Sequence, residues 1–252
     1  MTLFSYEPYE PRMFPLFIYY IILVILSSIF TIKMYLKWRE RRVKPPLYLT
    51  IVFMFITMTI SSLTIGLGEV IITGWKKEIY RITLPLAYTF FIISNWFLFL
   101  FISHMTSVSK KSFKYLIIIG IVVSIMMFLP WNYYGQPPED YEGKLNIRLY
   151  STVSFVLYSL IFYGFIAYVC QRSRKKSEDK KVRWGFNLLT LSMFSMIGFF
   201  ILLVLENAVI VFLDHPGFSI FFFLAWGVAL LFLLFAYLAL EMPSWLVRLI
   251  EK

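Results

Sequence analysis

The chain carries two carboxylic acids where hydrocarbon would surround them. Glu206, followed by Asn207, sits inside the apolar run Phe186–Phe212, and Glu69 lies near the end of the run Leu47–Ile72. Ionisable groups within a span are costly and are functional candidates by default. At about 100° per residue, Ser192, Ser195 and Glu206 share one helix face. Ser62, Gly66 and Glu69 fall in one arc of a second helix, Tyr88 and Asn95 align on a third, and Ser151, Ser154 and Tyr158 form a stripe on another. Lipid offers these groups no partner, so the polar faces are expected to point inward. The resulting expectation is an outer-leaflet cavity for a small ligand, lined by Glu69, Tyr88, Asn95, Tyr158, Glu206 and Asn207. The alternative is interhelical hydrogen bonding, with Glu206 paired to Asn207 or a tyrosine and Glu69 to Arg81 at the outer rim.

Other chemistries find little material. His104 and His215 fall on opposite sides of a membrane and cannot share a metal or a haem, so neither a metal nor a cofactor is expected. One cysteine, Cys170, excludes an intramolecular disulfide; it is a buried thiol or, at the junction of helix and basic loop, a palmitoylation site. There is no glycine-rich phosphate loop, no Ser/His/Asp set at one depth and, inside the apolar runs, no pair of carboxylates within one helical turn. An enzyme is not expected.

The elements that must position these groups follow from composition. Of 252 residues, 60% are hydrophobic and 15% charged, against about half and a quarter in soluble domains. Seven apolar runs succeed one another: Phe14–Leu36, Leu47–Ile72, Ile82–Met105, Tyr115–Pro130, Ile147–Cys170, Phe186–Phe212 and Phe218–Leu240. A bilayer needs about 20 residues per helix, and the fourth run is the shortest. The first is too long for a signal-peptide core and precedes no small-residue cleavage site. Pro85 is placed in the first turns of its helix, where a missing amide is tolerated. The expected fold is all-α, a polytopic seven-transmembrane-helix bundle over residues 14–240. An irregular N-terminal segment (1–13) precedes it and an amphipathic C-terminal helix (241–252) follows.

Charge orients the bundle. Eighteen of the 24 Lys and Arg fall on one side and six on the other, which places the N-terminus outside and the C-terminus in the cytoplasm. The net charge of +10 resides in short segments between apolar runs, so the lipid bilayer rather than nucleic acid is the expected partner. Trp75, Tyr80, Trp131, Tyr133 and Tyr134 mark the outer interface, and Trp38, Trp184 and Trp245 the inner one. The locally acidic segment Trp131–Asn146 either covers the outer mouth or simply connects. On the inner side, Arg172, Arg174, Lys175, Lys176 and Arg183, with Trp245 of the C-terminal helix, form a candidate surface for a signalling partner. The chain stops after Lys252, so no soluble output domain is expected.

A 3 + 1 + 3 arrangement of the runs places Glu69 and Glu206 near the outer ends of equivalent members, which raises a parallel internal repeat. Helix count and orientation superficially match the microbial rhodopsins and the G-protein-coupled receptors. The last run has no lysine for a retinal Schiff base, however, and neither an Asp-Arg-Tyr nor an Asn-Pro-x-x-Tyr signature is present. With its exit Met242-Pro-Ser-Trp-Leu-Val-Arg-Leu-Ile250, the chain resembles the seven-helix sensory region that precedes histidine kinase modules in some prokaryotic receptors. That resemblance implies a receptor-like membrane protein that binds a small ligand outside and signals through a separate partner. The alternatives are a transporter or transporter subunit using Glu206 and Glu69 as proton or cation sites, and a structural or assembly subunit.

Overall fold

The computed structural model describes residues 8–106, 108, 110–129, 147–213, 215 and 217–251. The acidic segment 131–146, Pro130 and Lys252 therefore lie outside the described residues. Among the described residues the regular structure is helical: α1 (Met13–Arg41), α2 (Lys44–Thr73), α3 (Glu78–Met105), α4 (Phe113–Met127), α5 (Ile147–Lys176), α6 (Lys180–Phe212), α7 (Ile220–Glu241) and α8 (Ser244–Glu251). Six of these, α1–α3 and α5–α7, are long and apolar enough to cross a bilayer. At 15 residues, α4 extends about 22 Å, short of a hydrocarbon core of about 30 Å. The chain is a multi-pass membrane protein. Rows of isoleucine such as Ile25, Ile32 and Ile161 are more than half exposed, a surface that suits lipid and not water.

Contacts divide the chain into two units, residues 1–105 with 109–158, and residues 106–108 with 159–252. In the first, α1 buries Met13, Leu16, Tyr20, Leu23, Ser27, Phe30 and Met34. The intervals alternate between three and four, the seam of a coiled-coil helix. α2 is buried over a wider arc because it packs on both α1 and α3. Across the α1–α2 contact Thr31 and Thr57 share a hydrogen bond of 3.3 Å, and Phe30 meets Phe53 edge-on at 5.9 Å. Across the α2–α3 contact Ser94 donates to the Val52 carbonyl at 3.2 Å and Thr59 to that of Ala87 at 3.3 Å. Without a hydrophobic drive between helices in lipid, such packing and hydrogen bonds hold a bundle together.

Two glycines set how closely helices approach. A Cβ on Gly66 of α2 would overlap the Thr83 hydroxyl of α3 and lie 3.4 Å from the Tyr80 backbone. One on Gly120 of α4 would come within 2.8 Å of both Ile92 and Trp96 of α3.

In the second unit α6 and α7 form an antiparallel pair joined by residues 213–219. Ser192 of α6 donates to the Phe232 carbonyl of α7 at 3.0 Å, with Ala225 and Ala236 buried on α7. The start of α6 meets the exit of α7, since a Cβ on Gly185 would lie 3.1 Å from Met242. The α7 helix ends on Met242 in the left-handed conformation, and α8 departs through Pro243.

Among the boundaries that differ from the apolar runs, the start of α3 changes where a proline sits. The third helix begins at Glu78, so Pro85 lies in its interior rather than in its first turns. The extra turn is held by an acceptor from outside the helix.

Candidate functional site

That acceptor is Glu69. From the last turns of α2 its carboxylate receives the backbone N–H of Tyr80 at 2.8 Å and of Ile79 at 3.3 Å. Ile79 and Tyr80 are among the first residues of α3, whose opening amides have no partner within the helix. The positive end of the helix dipole points at the same place, so a carboxylate suits it. Arg81, the partner considered from sequence, pairs with Glu78 at 3.1 Å.

Glu206 does the same for the next helix pair. It is 3% exposed, six residues from the end of α6, and accepts the backbone N–H of Ser219 at 3.0 Å and the Ser219 hydroxyl through its other oxygen. Ser219 is the N-cap of α7, and its Oγ accepts the Phe221 N–H at 3.2 Å. A carboxylate from one helix thus holds the residue that caps the following helix. The connection is shaped for this: Gly217 has φ +95° and Phe218 φ +53°, and this reversal delivers Ser219 to Glu206. Neither Asn207 nor a tyrosine is the partner. Asn207 is exposed, and its amide donates to the Leu203 carbonyl of its own helix at 2.7 Å.

The remaining candidates lie in the first unit. Asn95 is 1% exposed, Tyr158 is buried and Tyr88 half-buried. The Tyr88 ring stands 4.6 Å from that of Phe155, one turn before Tyr158 on α5, which sets the opening half of α5 beside α3. Ser62 and Ser151 are also buried. In the second unit Ser192 is buried, whereas Ser195 is partly exposed and donates to Leu191 of its own helix. The structure groups Tyr88, Asn95 and Tyr158 on α3 and α5 of one unit; Glu206 and Asn207 belong to the other.

On the basic connection, Arg172, Arg174, Lys175, Lys176 and Arg183 are all exposed, as is Trp245 on α8. Asp179 in the midst of them is engaged as the N-cap of α6, accepting the Lys181 N–H at 2.7 Å. Cys170 is fully buried, the thiol reading of that residue rather than an accessible lipidation site.

Ser219, the partner of Glu206, is the residue of this arrangement that pairing acids with bases or amides does not find. Its signal was present: a serine directly before an apolar helical run, two residues after a glycine, is an N-cap signature. No protein-family model, curated protein or solved structure matches the chain.

Proposed function

We propose that the chain is a seven-span, N-outside cell-membrane protein of receptor or sensory type. It takes a small ligand from the outer side into a polar interior on α3 and the opening half of α5, and signals to a separate partner through the Arg172–Arg183 segment and α8. The observation that carries this reading is the burial of Asn95 and Tyr158 within apolar spans, with Tyr88 packed on Phe155 between α3 and α5. Polar groups at that depth are costly and mark binding paths more often than surface residues do. Glu69, tied to the opening amides of α3, holds the frame of the site.

Seven crossings follow from the charge pattern. With α4 crossing, the basic connection after α5 shares a side with the basic segment after α1, as the positive-inside rule requires. Without it, the most basic segment of the chain would face outward. The test of the ligand reading is a thermal-shift screen of small outer-side solutes on the full chain in detergent. A hit is expected to lose its shift in Asn95→Leu and in Tyr158→Phe, and to keep it in Asn207→Leu. A hit that shifts all three variants equally removes Asn95 and Tyr158 from the site.

A second reading, a transporter or transporter subunit, is favoured by one observation. The α2–α3 and α6–α7 pairs carry the same carboxylate-to-next-helix cap, as equivalent members of a parallel repeat would. Proton-coupled solute uptake into liposomes that is lost in Glu206→Gln would favour this reading over the first.

A further inference from the structure

One end of the second unit concentrates cations that no described residue neutralises. Arg172, Arg174, Lys175 and Lys176 close α5, and Lys180, Lys181 and Arg183 open α6; all seven are exposed. Among the described residues none of the seven side chains has an ion pair or hydrogen bond. Of the two acids between them, Asp179 is committed to the α6 cap and Glu178 stands alone. Seven like charges over twelve positions repel one another, an arrangement that needs external anions.

The surroundings indicate which anions. Trp184, 42% exposed, directly follows Arg183, and Gly185 after it lies against Met242 at the exit of α7. α8 leaves from that exit and contacts α6, presenting Trp245 at 56% exposure and an exposed Arg248. Two exposed indoles therefore accompany the cations at the ends of membrane-spanning helices. Indoles collect at the headgroup level of a bilayer, where amphipathic helices also lie. An acidic protein partner would account for the charges but not for the indoles beside them.

We infer that this end of the second unit is a binding surface for anionic phospholipid headgroups. The cations of the α5–α6 connection engage the phosphates, while Trp184 and Trp245 seat the surface at the interface. The inference rests on membrane insertion, and it gives to lipid the surface that the receptor reading gives to a signalling partner. Cations beside an anionic leaflet each strengthen attachment about fivefold, and salt screens the effect over a Debye length.

The experiment uses the full chain in nanodiscs made from equal amounts of phosphatidylglycerol and phosphatidylcholine, with co-retained lipid counted by native mass spectrometry. Wild type is expected to retain phosphatidylglycerol in several-fold excess, and the excess is expected to shrink with added salt. Replacing Lys175, Lys176, Lys180 and Lys181 with Gln is expected to abolish it. The same four positions changed to Arg should keep it, which separates charge from folding. Changing Lys76 and Lys77 to Gln, on the α2–α3 connection, should leave it intact. Equal retention of the two lipids by wild type overturns the inference, as does an excess that survives the fourfold Gln variant. Co-purification of an acidic protein that depends on these four lysines, without lipid selectivity, also overturns it and assigns the surface to that partner.

Discussion

Glu206 on α6 holds both the backbone amide and the hydroxyl of Ser219, the residue that caps α7. Thirteen residues separate the two, so the carboxylate sets where the next helix starts rather than bracing its own. Glu69 does the same for α3 through the Ile79 and Tyr80 amides. Two buried or half-buried acids, which sequence marks as sites of chemistry, thus act as joints between successive spans.

Removing either side of the Glu206–Ser219 joint should destabilise the α6–α7 pair by about 1 kcal/mol, the usual worth of an N-cap. Glu206→Ala and Ser219→Ala act on one network, so the double variant should cost clearly less than the sum of the singles. Thermal unfolding of the full chain in detergent measures all three. Strict additivity would mean that the two residues do not act through each other.

Asn207 lies next to Glu206 but is exposed, and its amide bonds to its own helix. Asn207→Leu should change stability by no more than about 0.5 kcal/mol, as exposed substitutions do. A loss equal to that of Glu206→Ala, read by the same melt, would mean that the asparagine shares the joint.

Gly66→Ala should destabilise the α2–α3 contact by about 1–3 kcal/mol, the usual cost of overpacking. The methyl meets Thr83, so Thr83→Ala in the same chain should recover part of the loss. Unfolding midpoints of the two singles and the double decide it, and no recovery would place the clash elsewhere.

On α1, Leu23 is fully buried in the seam and Ile25 faces outward. Leu23→Ala is expected to cost about 2 kcal/mol or more and Ile25→Ala little. Comparable losses in unfolding assays would contradict the seam.

Much of this arrangement was legible in the sequence. Every one of the six long helices coincides with an apolar run, because lipid demands about 20 apolar residues and punctuates spans with charge. The inward direction of Asn95, Tyr158, Ser192 and Glu206 was legible too, since a polar residue in hydrocarbon has one side to turn to. The α1 seam was not, because lipid-facing Ile25 is as apolar as buried Leu23 and no moment separates them. The true partners of Glu69 and Glu206 were hidden for another reason. They are backbone amides, and for Glu206 also the Ser219 hydroxyl, brought near by a turn, whereas side-chain inventories pair acids with bases such as Arg81. The early start of α3 is hidden on the same account, since the Glu69 cap stabilises a turn whose charged Glu78 and Arg81 mark it as outside an apolar span.

The proposed seven-span orientation puts the α2–α3 and α6–α7 connections outside the cell and the basic α5–α6 connection inside. In a Cys170→Ser background, Lys76→Cys, His215→Cys and Lys176→Cys place one thiol each at the α2–α3 connection, the α6–α7 connection and the end of α5. Labelling of intact cells with a membrane-impermeant maleimide is predicted to modify the cysteines at positions 76 and 215, and the one at 176 only after permeabilisation. Labelling of position 76 from one side and position 215 from the other would mean that α4 does not cross, and would contradict the account.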